Sequence, residues 1–352
     1  MNKKTAKKSL FHAWITSSNF FYNTVEACPA PIFSILAILP IFIFWALLMY
    51  KRQPSHIATL FLQDPILIKL SMWLNIANNH TALPASFLFI GLHTLNVGIF
   101  LYLARPYLSK LMMLWACWYV GIHPSHLSWF GKLEFLPHLI ECTLLLATIS
   151  IAQAVCRHTN SALYRLGLLS IIGCCWAPIN IWLGLASVTL ASAYFWHLET
   201  TQCSMLFFSY AAAQLCAILT SPSIGTIAVL TNLRRALVSL FGLNWIPGSI
   251  PWLRYGFLLF WAASLIGLFL HTTKRRQAGL LILAVVTSLL PQIFIKMHAS
   301  FIYTSLPAFI AALGILYENT GEADVRSVIK SLIIPIYASF LFNVAAILLH
   351  VL

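Results

Sequence analysis

Pro31 to Tyr50 reads PIFSILAILPIFIFWALLMY, twenty residues without an Asp, Glu, Lys or Arg. About 20 apolar residues in a row is what an α-helix needs to cross the roughly 30 Å hydrocarbon layer of a bilayer. The rest of the chain has the same character. Hydrophobic residues make up 60% of its 352 positions and charged residues 8%. A soluble domain carries about 45–50% and about 25% respectively. A chain with so few charges cannot cover its own surface for water. A disordered segment, a collagen-like fibre and a cytosolic enzyme are excluded, and the expected fold is an all-α, polytopic helical membrane protein.

Ten further apolar runs suit helices, at 84–104, 108–126, 135–155, 162–178, 180–198, 204–222, 252–271, 278–296, 299–317 and 328–351. With 31–50 they make about 11 transmembrane helices. Two longer connections, 51–83 and 223–251, hold amphipathic runs such as Ile57–Leu67 and Ile227–Leu240, which suit helices lying in the membrane interface. Residues 1–30 contain Lys3, Lys4, Lys7 and Lys8 with no short cleavable apolar segment behind them, so they read as a basic cytoplasmic leader before a retained first helix. Residues 31–352 then form a single transmembrane domain.

The formal charge of +13 needs no nucleic-acid partner. Lysine and arginine collect at the cytoplasmic ends of spans and orient them. With the N-terminus inside, the inner side receives the four leader lysines, Arg105, Lys110, Arg157, Arg165, Lys274, Arg275, Arg276, Arg326 and Lys330. The outer side receives Lys51, Arg52, Lys69, Lys132, Arg234, Arg235, Arg254 and Lys296. This bias favours an N-in, multi-pass protein, of the inner membrane if the cell is bacterial. The eight cysteines lie mostly in apolar runs with no CxxC pair and read as small hydrophobes between helices.

Only eight residues are acidic. Glu26 belongs to the leader, Glu199 to a tight inner turn, and Glu318, Glu322 and Asp324 to a solvated inner loop with Arg326 and Lys330. Asp64, Glu134 and Glu141 fall on or just below the outer face. Asp64, in Leu62-Gln63-Asp64-Pro65, either starts a turn before the proline or supplies a base at the interface. Glu134, His138 and Glu141 are spaced by four and three, one face of a helix. Ionisable groups within a span cost roughly 2.5–3.5 kcal/mol on insertion scales and usually face a partner or a cavity. His123 and His126 lie just before them, so Asp64, His123, His126 and Glu134 are the residues from which a divalent metal site would be drawn. Lys132, Arg234, Arg235, Arg254 and Lys296 suit a phosphate or pyrophosphate, the plainer reading of each alone being lipid headgroups reached by snorkelling.

Three stretches together resemble a known family. Phe87–Leu108 reads FLFIGLHTLNVGIFLYLARPYL, Gly121–Leu136 reads GIHPSHLSWFGKLEFL, and Thr287–Leu313 reads TSLLPQIFIKMHASFIYTSLPAFIAAL. In this order they are similar to polytopic GT-C-type glycosyltransferases, and most similar to the membrane region of the TPR-bearing O-mannosyltransferase-like group. His93 and Asn96 match the polar pair of that group's second span. His123-Pro124-Ser125-His126, followed by Trp129, Gly131, Lys132 and Glu134, matches its third. Leu290-Pro291, with His298, Tyr303 and Pro307, matches its late span. The likeness covers residues 50–320 loosely. The chain departs from the family in having one carboxylate in the first outer loop, where a pair is usual, and Leu127-Ser128 where an acid commonly follows the HPxH motif.

The resemblance implies transfer of a sugar, with inversion, from a polyprenyl-phosphate-linked donor to a lipid, glycan or protein acceptor at the extracytoplasmic face. Asp64 would take or position the acceptor's proton. His123, His126 and Glu134 would line the donor pocket, with His138, Glu141, His298 and Tyr303 close by. Lys132, Arg234, Arg235 and Arg254 would stabilise the leaving phosphate. Two other roles fit the same residues: a polyprenyl-phosphate or lipid transporter, and an inactive relative that acts as a scaffold.

Overall fold

The computed structural model describes residues 23–51, 82–123, 125–126, 226–243, 251–275 and 302–319, with single positions between 139 and 150, between 277 and 289, and at 341 and 345. Six helices organise these residues: α1 (Ala30–Lys51), α2 (Ala82–Ala104), α3 (Lys110–Gly121), α4 (Thr226–Leu240), α5 (Pro251–His271) and α6 (Ile302–Glu318). No strand occurs among the described residues. Stretches within α1, α2 and α5, at Ala30–Leu48, Phe87–Ala104 and Pro251–His271, are long and apolar enough to cross a membrane. The protein is helical and has the character of a membrane protein. The interfacial helices expected in 51–83 and the spans expected at 162–178, 180–198 and 204–222 lie outside the described residues.

Helix α3 sits at the centre, packed against α1, α2 and α6. Nine of its 12 residues are buried, from Met112 through Cys117 and from Tyr119 to Gly121. A helix apolar around its circumference belongs inside a bundle. At 1.5 Å per residue it is about 18 Å long, too short to cross the hydrocarbon layer alone. The apolar run 108–126 therefore corresponds to a shorter helix than its length suggests, followed by a polar turn.

The helix directions follow from the polar contacts. Lys110 Nζ donates to the Cys28 carbonyl at 2.8 Å and to the Glu26 carbonyl. At the other end of α1, the Trp45 indole donates to the Gly121 carbonyl at 2.6 Å. Helices α1 and α3 are thus parallel. The turn 105–109 reverses the chain between α2 and α3, and Tyr107 N donates to Ala104 O within it at 2.9 Å. Helix α6 runs antiparallel to α3, because Glu318 meets Ser109 and Tyr303 meets His93. Helix α5 ends beside α6, where Thr273 N donates to Asn319 O at 2.9 Å. Arg105, Lys110, Lys274 and Arg275 consequently gather at one end of the bundle.

Two carboxylates at this end hold the start of α3. Ser109 is its N-cap, in extended backbone, and its hydroxyl oxygen accepts Met112 N–H at 3.3 Å. Ser109 N–H points between the two Glu318 oxygens, at 2.8 and 3.0 Å, and the Ser109 hydroxyl donates to the same carboxylate. Glu26 Oε1 accepts Leu111 N–H at 3.1 Å. The first N–H groups of a helix lack partners within it, and negative charge there is favourable. Neither acid has the role its sequence position suggests. Glu318 is part of the packing, not of a solvated loop, and Glu26 ties the leader's end to α3.

Gly121 marks the closest approach of α1 and α3. A Cβ there would lie 2.8 Å from Ile41 Cγ1 and 2.9 Å from Cγ2, inside van der Waals contact. Gly121→Ala is expected to destabilise the protein by about 1–3 kcal/mol through overpacking. Thermal unfolding in detergent checks this, and Ile41→Ala should restore part of the loss in the double variant. Additive losses would show that the contact is not the cause.

Candidate functional site

Toward the opposite end of the bundle, polar side chains from three distant stretches meet in the interior. His93, His123 and His126 have no exposed surface, and Asn96 and Tyr303 retain 2% each. His93 and Asn96 lie three apart on α2, hence on one face. Tyr303 comes from the first turn of α6. His123 and His126 follow the end of α3, where Ile122 N–H closes the last turn on Trp118 O and His126 N–H donates to His123 O.

The hydrogen bonds decide the tautomers. His93 Nε2 is 2.8 Å from the Gly121 carbonyl, which only accepts, so Nε2 carries the proton. Nδ1 is then the acceptor for the Tyr303 hydroxyl, also at 2.8 Å. The Tyr303 oxygen in turn accepts Asn96 Nδ2 at 3.1 Å, while the same amide donates to Leu139 O at 3.1 Å. His126 donates from Nε2 to the Val120 carbonyl at 2.8 Å. His123 Nδ1 accepts Ser125 N–H at 3.3 Å and the Ser125 hydroxyl at 2.6 Å. Its Nε2 has no hydrogen-bond partner among the described residues. His93 and His123 each accept a hydrogen bond at Nδ1 and are neutral in this arrangement, and the rings of the cluster pack against one another. The His93–His126 centroids are 5.2 Å apart and nearly perpendicular, His126–Tyr303 5.1 Å, and Trp45–His93 5.7 Å.

These contacts explain how α3 can stop inside the bundle. The last carbonyls of a helix have no partner within it, and lipid offers none. His126 satisfies Val120 O, and His93 and Trp45 together satisfy Gly121 O. The network therefore serves as a side-chain cap and also joins α1, α2, α3 and α6.

Of the expected site residues, His123, His126 and Tyr303 are brought together. Arg234 and Arg235 project from the exposed face of α4, and Arg254 is half-buried near the start of α5. Asp64, Lys132, Glu134, His138, Glu141, Lys296 and His298 lie outside the described residues. Among the described residues, no group of three or more His, Cys, Asp or Glu is placed to hold a metal ion. Both His93 nitrogens are already engaged. Asp64 and Glu134, the carboxylates from which a metal set would be completed, are not described. Trp45 and Gly121 are the members that sequence reasoning missed. Nothing marks Trp45 within its apolar run, whereas the His93–Asn96 pair was visible as a polar interruption of an apolar span.

No protein-family model matches the chain, and comparisons with curated proteins and with solved structures return no significant similarity.

Proposed function

We propose that the protein is a multi-pass membrane glycosyltransferase of the GT-C type, taking its sugar from a polyprenyl-phosphate-linked donor at the extracytoplasmic face. One observation carries the reading. The polar residues of the three stretches that resemble the family, separated by up to 210 positions in sequence, converge on one buried cluster. Polar and ionisable side chains at membrane depth are rare and tend to mark functional sites. In this reading the cluster is the rigid wall behind the donor pocket. Asp64 accepts the proton of the acceptor hydroxyl as its oxygen attacks the anomeric carbon. The bond from that carbon to the phosphate oxygen breaks, and polyprenyl phosphate leaves. The end that gathers Arg105, Lys110, Lys274 and Arg275 faces the cytoplasm, in keeping with the usual inward bias of basic residues.

The test is loss of the protein in its own cell, followed by mass spectrometry of surface glycans and lipids. The expected result is a glycan or lipid missing one sugar, with the precursor accumulated. An unchanged glycan profile with polyprenyl phosphate building up on one leaflet would overturn the enzyme reading and support transport.

A further inference from the structure

Helix α4 buries most of its second half. Asn232, Ala236, Val238, Ser239 and Leu240 are buried, and Phe241 just beyond the helix packs against Trp261 of α5 and Phe309 of α6 at 4.9 and 5.4 Å. Earlier in the helix, Leu230, Leu233, Arg234 and Arg235 are exposed. Leu230 is 67% exposed and Leu233 39%. Leucines beside arginines are the composition of a helix lying in the headgroup layer. The depth of that layer is marked independently by α5. Trp252 and Tyr255, both exposed, stand in the first two turns of this membrane-length helix, where aromatic residues anchor spans at the interface. Arg234 Nη1 donates to the Tyr255 hydroxyl at 3.3 Å, so the guanidinium is held at that depth. Between Glu199 and Glu318 the sequence has no acidic residue, so this stretch supplies no carboxylate to the two arginines itself.

We propose that the corner formed by the exposed face of α4 and the first turns of α5 is a docking surface for anionic phospholipid headgroups of the surrounding bilayer. Arg234 and Arg235 meet the phosphates, Leu230 and Leu233 enter the upper acyl region, and Trp252 and Tyr255 fix the height. Guanidinium groups pair with phosphate oxygens in bidentate geometry, and a headgroup phosphate supplies the counter-charge that this part of the chain lacks. The assignment differs from that of a donor-phosphate clamp, because these arginines face outward while the histidine cluster is fully buried. It does not depend on the glycosyltransferase reading.

The full-length protein, reconstituted into vesicles of phosphatidylcholine with a minority of phosphatidylglycerol, should retain phosphatidylglycerol preferentially when released gently and examined by native mass spectrometry. Arg234→Gln together with Arg235→Gln should reduce that preference by about five-fold for each charge removed. The lysine pair Arg234→Lys and Arg235→Lys should keep most of it. Both sites are exposed, so the variants should unfold at the parent temperature in pure phosphatidylcholine. A glutamine pair that folds normally and retains the full preference would overturn the proposal. So would a parent protein with no preference, or displacement of phosphatidylglycerol by an equal amount of polyprenyl phosphate, which would reassign the corner to the donor.

Discussion

His93→Ala is expected to destabilise the protein by about 2–4 kcal/mol. The average side-chain hydrogen bond between membrane helices is worth only about 0.6 kcal/mol, because the separated helices find other partners. His93 exceeds that average for three reasons. Its ring fills space at zero exposure, so truncation leaves a cavity. It holds the Gly121 carbonyl at the end of α3, where the remaining donor is the Trp45 indole. It also accepts the Tyr303 hydroxyl, which would then be left as a buried donor, at a cost of about 1–3 kcal/mol. Thermal unfolding of the purified variant in detergent measures the sum. His93→Gln, which restores an amide able to meet one of the two partners, should recover part of the loss. Tyr303→Phe, which removes one hydroxyl and leaves the carbonyl contact intact, should cost less than His93→Ala. A loss below about 0.5 kcal/mol in the alanine variant would show that the network is not structural, since even an average membrane hydrogen bond exceeds that.

The second large effect is on chemistry. Under the proposed glycosyltransferase function, Asp64→Asn is expected to lower glycosyl transfer by about 10²- to 10⁴-fold, the usual contribution of a positioned general base. The amide keeps the size of the carboxylate and its capacity to begin a turn before Pro65, so the unfolding temperature should not move. A reconstituted transfer assay with a polyprenyl-phosphate-linked sugar measures the loss. Full transfer by the variant would remove Asp64 from the mechanism, and an equal loss of stability and transfer would make it a structural residue.

The helices that sequence placed well are those with nothing tertiary to resolve. The run 31–50 became α1, Ala30–Lys51, and 252–271 became α5, Pro251–His271, because length and apolarity alone determine a span. The amphipathic run Ile227–Leu240 became α4 for the same kind of reason, a local period. The run 108–126 differed because its end is fixed by side chains far away in the chain. Hydropathy at 122–126 does not reveal that Val120 and Gly121 present carbonyls to His126, His93 and Trp45. His123 and His126, within the expected run 108–126, lie in the turn after the helix. Glu318 misled for a similar reason: an acid near other charges reads as solvated unless its partner, Ser109, is known. The site was legible where a polar residue interrupts apolar sequence, as at His93 and Asn96. It was illegible where an apolar residue supplies the polar contact, as Trp45 does through its indole N–H.

The hold of Glu318 on Ser109 and of Tyr303 on His93 spans 209 and 210 positions of sequence. At about 5–20 residues per second, ribosomes need about 10–40 s to cover that interval. For that time the Ser109 N–H at the start of α3 and the His93 and Asn96 side chains on α2 lack the partners that α6 brings. The histidine, the asparagine and the serine wait for a helix not yet made. The bundle cannot close from its N-terminus alone, and its final packing is set by the last helix described, α6. Chains halted before α6 would present the same polar groups to lipid, which is a feature by which a membrane quality-control protease could tell an unfinished molecule from a finished one.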